Sequence, residues 1–186
     1  MASLIYSATM SLDGYIADGN GSIDWTAPDE EVHAFVNDIE RTVGTYLLGR
    51  RMHEVLSVWD TLAADPGLEE VERDFAKQWL EKDKIVYSST LASVATSRTR
   101  LEREFRPEIV RQLKESADRD LSIGGPALAA HAFAAGLVDE CIFFVAPIAV
   151  GGGTPGLPAG QRLSLDLLDE RRFTNGTVYL RYAVRP

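Results

Sequence analysis

Apolar positions along this chain repeat with two different periods, and the two periods take turns. Met1 to Thr9 is mostly apolar, with Leu4, Ile5 and Tyr6 in a row, which predicts a buried first strand. From Asp29 to Val43 the positions Val32, Phe35, Val36 and Ile39 fall at helical spacing, behind acids suited to a first turn. Thr45 to Leu48 predicts a short strand, and Gly49-Arg50-Arg51 then leads a helical stretch through Leu56. Leu68 to Leu80 carries Val71, Phe75 and Trp79 on one helical stripe, and Lys84 to Ser88 predicts a strand ending in Ser88-Ser89-Thr90. Pro107 to Ser116 is helical, Asp120 to Ile123 a strand, and Gly124-Gly125-Pro126 opens a helix from Ala127 to Ala135. Glu140 to Val150 predicts a long buried strand. Leu163 to Arg172 and Gly176 to Val184 predict a hairpin around Thr174-Asn175-Gly176. Strands alternating with helices and ending in a hairpin predict one α/β domain over residues 1–186, with a mainly parallel sheet and an antiparallel edge. The exposed strand edge near that hairpin is compatible with a homodimer but does not establish one.

One stretch breaks the alternation. Ser11 to Pro28 holds three glycines and six residues of the turn formers Asp, Asn and Ser, which predicts a long loop. Loops above about 12–15 residues inside a compact domain are usually functional. In open α/β sheets ligands gather beyond the carboxyl ends of the strands, and the other informative residues also fall there.

Each of these has an ordinary reading beside a functional one. Gly124-Gly125-Pro126 is either a plain strand-to-helix turn or a close backbone approach that offers free helix amides to an anion. Arg50 and Arg51 at a helix start oppose the helix dipole, so they are either a solvated basic edge or half of a phosphate site. Arg98 and Arg100 are candidates for the same basic pocket. Asp29, Glu30 and Glu31 are ordinary first-turn acids; a catalytic role needs one of them to face a cleft with a raised pKa. Glu31 has Phe35 one turn later on the same face. Gly151, Gly153 and Gly156 spell a G-x-G-x-x-G after a strand, but Pro155 and Pro158 leave no helix to receive a pyrophosphate. The better reading is a turn where backbone approaches a ligand or a neighbouring loop. His33, His53 and His131 are scattered without metal-ligand spacing, so no metal is expected, and His131 reads as a core histidine. Trp59 and Trp79 read as core, whereas Trp25, in the long loop, does not.

Composition narrows the classes. Nineteen basic and 28 acidic residues leave a formal charge of −9, which disfavours nucleic-acid binding and requires a local cluster for any anionic ligand. The single Cys141, in an apolar run, excludes a disulfide scaffold. The run Cys141–Val150 is ten residues, about half a membrane span, and the first residues lack a secretory pattern. A cytoplasmic protein acting on a small-molecule substrate, with no nucleic-acid or membrane partner, is the expectation.

Taken in order, Ser11-Leu12-Asp13-Gly14-Tyr15-Ile16-Ala17, Asp24-Trp25, Leu48-Gly49-Arg50-Arg51, Ser88-Ser89, Ile123-Gly124-Gly125 and Pro147 with Gly151-Gly152-Gly153 resemble the dihydrofolate reductase-like superfamily. Within it the chain looks most like the reductase domain of the bifunctional riboflavin-biosynthesis deaminase/reductase, over essentially its whole length. The resemblance implies a dihydrofolate reductase-type fold and hydride transfer from NADPH. Ile16 and Ala17 would then lie near the nicotinamide. Gly49, Arg50, Arg51, Ser88 and Ser89 would hold the 2′-phosphate side, and Gly124 and Gly125 the pyrophosphate. Trp25 and Phe35 would face the substrate, with Asp13 and Glu31 orienting it and supplying a proton. Met52 departs from the pattern, since dihydrofolate reductases place threonine there. Implied substrates are 5-amino-6-(5-phosphoribosylamino)uracil or, alternatively, a dihydrofolate-type pterin. A nucleotide-binding relative without catalysis is the remaining alternative.

Overall fold

The computed structural model describes residues 1–185. The chain opens with β1 (Leu4–Ser11) and β2 (Tyr15–Ala17), makes a 3-10 turn at Asp24–Thr26 and enters α1 (Glu30–Glu40). β3 (Val43–Gly49) leads through α2 (Arg50–Leu56), α3 (Val58–Leu62) and α4 (Glu70–Glu81) to β4 (Asp83–Tyr87) and β5 (Thr99–Glu102). Then come α5 (Pro107–Ser116), β6 (Asp120–Gly124), α6 (Pro126–Ala134), β7 (Glu140–Ala146), β8 (Thr154–Pro155) and the hairpin β9 (Leu165–Arg172) and β10 (Val178–Val184).

Eight strands form one sheet in the order β5-β4-β3-β6-β1-β7-β10-β9, parallel from β5 to β7 and antiparallel beyond. This is the α/β architecture that the alternating periods call for. Both faces of the sheet are covered at β1, which is why Leu4, Ile5 and Tyr6 are consecutive apolar residues. Leu4, Tyr6, Leu121, Ile123, Cys141 and Phe143 pack with Val110 of α5 and Ala132 and Phe133 of α6. On the opposite face Ile5, Ile142, Phe144 and Tyr179 meet Val32 of α1, while Tyr46, Leu48 and Val86 meet Trp79 of α4. Burial pushes the Cys141 thiol up to about 12, which leaves it an inert core residue.

Local chemistry sets the helix starts. Asp29 caps α1 by accepting from the Val32 amide at 2.9 Å, Glu69 and Glu72 form a capping box on α4, and proline opens α5 and α6. Among the described residues no helix is long and apolar enough to cross a membrane.

Several elements differ from the sequence reading. Val43 begins β3 rather than ending α1, and β7 stops at Ala146, before Pro147, whose missing N–H cannot continue a ladder. The segment Ser11–Pro28 contains β2, the 3-10 turn and a tight turn held by Asp18, whose Oδ1 accepts from the Asn20 and Ser22 amides at 2.8 and 2.9 Å. β5 is a four-residue edge strand, Thr-Arg-Leu-Glu, too polar to announce itself. His131 is exposed on α6 and stacks on Phe105 at 5.9 Å, so it is not a core residue.

Candidate active site

The parallel strands all end on one edge. Across it lie Glu102, Tyr87, Gly49, Gly124, Ser11 and Ala146, the last residues of β5, β4, β3, β6, β1 and β7. The turn between β9 and β10 returns to this edge, because β10 is antiparallel to β7 with Val178 opposite Val145. The fold thereby brings the separated sequence motifs to one rim.

At its centre β3 and β6 deliver two glycines side by side. A Cβ on Gly125 would meet the Gly49 nitrogen at 3.7 Å, and Gly125 itself has φ +97°, a conformation that side chains resist. A Cβ on Gly124 would press on Met52 at 3.0 Å and Leu48 at 3.3 Å. Met52, where a threonine is usual in the resembled family, is thus an apolar plug between α2 and β6. Gly125 is the N-cap of α6 and offers no side-chain acceptor, so the first amides of that helix face the rim without a protein cap.

Towards β4 and β5 the rim is basic. Arg50 is exposed and reaches Glu54 at 3.7 Å, while Arg51 is exposed with no carboxylate partner among the described residues. Ser88 is buried, and its Oγ accepts from the Thr90 and Leu91 amides at 3.3 and 3.1 Å; Ser89 is exposed. Arg103, just beyond β5, donates to the carbonyls of Ser88, Leu91 and Ala92 and braces this loop from below.

Towards β1, β7 and β10 the rim is acidic. The Asp13 carboxylate accepts from Ser11 Oγ at 2.6 Å and from the Val150 and Gly151 amides at 3.1 and 2.7 Å. The Ser11 hydroxyl, with help from the two amides, holds its pKa below the ordinary value. Glu31 Oε2 accepts from Thr174 Oγ1 at 2.5 Å and from the Thr174 amide at 3.0 Å, and Oε1 lies 3.2 Å from Arg171. The Thr174 contacts, with Arg171, hold its pKa down as well. Phe35 packs edge-on against Phe144, Phe173 and Tyr179, with the Arg171 guanidinium 5.0 Å above its ring. Trp25 is half-buried, and its indole N–H is buried without an acceptor among the described residues.

Residues 2–179 match the family described as the RibD C-terminal domain. The chain belongs to this family. An uncharacterised relative, YyaP of Bacillus subtilis, is 28% identical over 183 residues, 96% of this chain and 93% of that protein. A structure from Shewanella sp. PV-4, assigned provisionally to riboflavin biosynthesis, superposes with TM-score 0.73 at 23% identity over 99% of both chains. The deaminase/5-amino-6-(5-phosphoribosylamino)uracil reductase of Thermotoga maritima superposes with TM-score 0.68 at 15% identity, covering 99% of this chain and 57% of that one. At these identities the structural likenesses establish the fold.

As a RibD C-terminal domain, the chain brings its motif residues to one rim, though not all in the arrangement their sequence suggested. Arg98 is not in the basic pocket: it precedes β5, at the opposite end of the strands, and pairs with Asp83 at 2.9 Å. Arg100 lies within β5 beside Glu102 at 3.4 Å. Arg103 takes their place, and only recognition of β5 would have singled it out. Neither Asp13 nor Glu31 carries the raised pKa that a carboxylic proton donor needs at neutral pH. The G-x-G-x-x-G serves a neighbouring loop: a Cβ on Gly153 would overlap the Ala17 carbonyl, and the Gly156 amide donates to Gly14 at 2.9 Å. Ile16 and Ala17 belong to β2, which pairs with β8 across Tyr15–Pro155 and Ala17–Thr154.

Proposed function

We propose that this RibD C-terminal domain is an NADPH-dependent reductase of a pyrimidine or pterin-like heterocycle, with 5-amino-6-(5-phosphoribosylamino)uracil the favoured substrate. The observation that carries the reading is the pairing, on one rim, of an uncapped α6 N-terminus at Gly125 with the unpartnered guanidinium of Arg51. Two anion-seeking features on an otherwise acidic protein suit a ligand with a pyrophosphate and a separate phosphate.

NADPH would supply the hydride, destined for the ribosyl C1′ of the favoured substrate or, in the alternative, for the pterin C6. Gly124 and Gly125 would take the pyrophosphate because no Cβ stands between it and the α6 amides. Arg50 and Arg51 would take the 2′-phosphate, Gly49 letting them start α2 close to Gly125, and Ser88 and Ser89 would line the same side. The backbone of Ile16 and Ala17 would flank the nicotinamide.

Asp13 and Glu31 are ionised acceptors at neutral pH, which supports an orienting role rather than proton supply. Glu31 is already engaged by Thr174 and Arg171. The ribosylaminouracil is favoured over the pterin because the chain belongs to the RibD C-terminal family and shares its fold with a 5-amino-6-(5-phosphoribosylamino)uracil reductase. The test is NADPH consumption in the presence of each substrate. Turnover with the ribosylaminouracil, cut in Glu31→Gln with NADPH binding spared, is expected. Binding of NADPH with no turnover of either would instead leave the non-catalytic reading.

A further inference from the structure

Two segments far apart in sequence, 11–17 and 148–156, are joined at several points along their length. The Leu12 amide donates to Ile148 O at 2.7 Å, the Asp13 carboxylate takes the Val150 and Gly151 amides, and the Gly156 amide donates to Gly14 O at 2.9 Å. β2 pairs with β8, and the Gly153 backbone lies so close to Ala17 that no side chain fits. Beneath them, the buried Tyr6 hydroxyl donates to Gly156 O at 2.5 Å and ties the assembly to β1. Ser11 continues the chain of contacts, donating to Asp13 Oδ1 at 2.6 Å while its Oγ accepts the Tyr15 amide at 3.0 Å.

We infer that Asp13 is a positioning residue: by gripping the Val150 and Gly151 amides it fastens the two segments into a single unit that fixes where the Ile16–Ala17 backbone stands over the rim. Among the described residues the carboxylate is the only side chain that bridges the segments by charge-assisted hydrogen bonds, and such bonds are about twice as strong as neutral ones. Its oxygens are spent on donors from Ser11, Val150 and Gly151, which leaves it a fastener rather than an acid. The other joints are backbone contacts that depend on the same close approach, above all at Gly153. The consequence for binding rests on the reading of Ile16 and Ala17 as nicotinamide neighbours; the fastening itself does not.

Amide hydrogen exchange on the protein without cofactor reads the fastening directly. In Asp13→Asn one side-chain oxygen becomes an NH2 that faces an N–H. Exchange at Val150 and Gly151 should then quicken by about ten-fold or more, the loss of a hydrogen bond to a charged group. The partner amides of Leu12 and Gly156 should quicken with it, while Ile123 and Phe143 in the central sheet stay protected. Gly153→Ala forces the segments apart from the other side and should produce the same pattern, so the inference stays testable if Asp13→Asn fails to fold. Quickening confined to Val150 and Gly151, or no quickening, overturns the single unit. NADPH affinity is the second readout. If wild type binds NADPH and both variants bind it as tightly despite faster exchange, the positioning of Ile16–Ala17 is overturned. If wild type does not bind NADPH while the exchange pattern appears, the functional reading fails and the fastening stands.

Discussion

Glu31 shows how much one carboxylate's partners decide. Its neighbours in sequence, Asp29 and Glu30, are carboxylates too, and a first-turn acid is ordinary helix chemistry. What separates it is Thr174, 143 residues away, which pins it through both hydroxyl and amide. No spacing in the sequence carries that contact. The same holds for Asp13, whose amide partners lie 137 and 138 residues on. Both folded pKa values are depressed, so between the folded and unfolded values the unfolded chain binds more protons and stability rises with pH. The contribution is fully present above the unfolded values near pH 4 and is lost as the pH falls through the folded ones. Thermal melts of Glu31→Gln should therefore show a shallower acid limb below about pH 4 than wild type. Thr174→Val, which keeps the amide and deletes the hydroxyl, should move the Glu31 carboxyl back towards its ordinary pKa by NMR titration; an unmoved titration would contradict the assigned cause.

At the scale of elements, alternating periods and turn residues are enough to place most helices and the central strands, because burial on both faces writes apolar runs into β1, β3, β4 and β7. The strands missing from the sequence pattern share a physical reason. β5 is polar and at an edge, and β2 and β8 are too short to show a period, so each exists only by pairing with a neighbour. Arg103 is hidden in the sequence with β5, and Arg98 stands at the opposite end of the strands from the pocket its sequence position suggests. Glycine chemistry was more legible: Gly124-Gly125-Pro126 does open α6, with Gly125 at φ +97°. Gly125→Ala should destabilise the fold by about 1–3 kcal/mol through backbone strain and weaken cofactor binding as well. Gly136, with φ +62° and open space around it at the other end of α6, is the control. Gly136→Ala should cost stability and leave binding untouched. Equal binding losses in the two variants would mean that Gly125 acts only through the fold.

For the whole molecule, net charge and local charge point in opposite directions. The chain carries −9, yet Arg50 and Arg51 stand exposed at the rim where β3 ends. If the local arginines govern, salt should weaken NADPH binding by screening an attraction; if the global field governs, salt should strengthen it by screening a repulsion. The account predicts weakening, read from titrations at several ionic strengths. The most direct test of the central claim is a tryptophan-fluorescence titration of the protein with NADPH and NADH side by side, repeated on Arg50→Ala and Arg51→Ala. Saturable binding that prefers NADPH, with the preference lost in the arginine variants, is the predicted result. Absence of binding by either cofactor, or a preference for NADPH indifferent to both arginines, would contradict it.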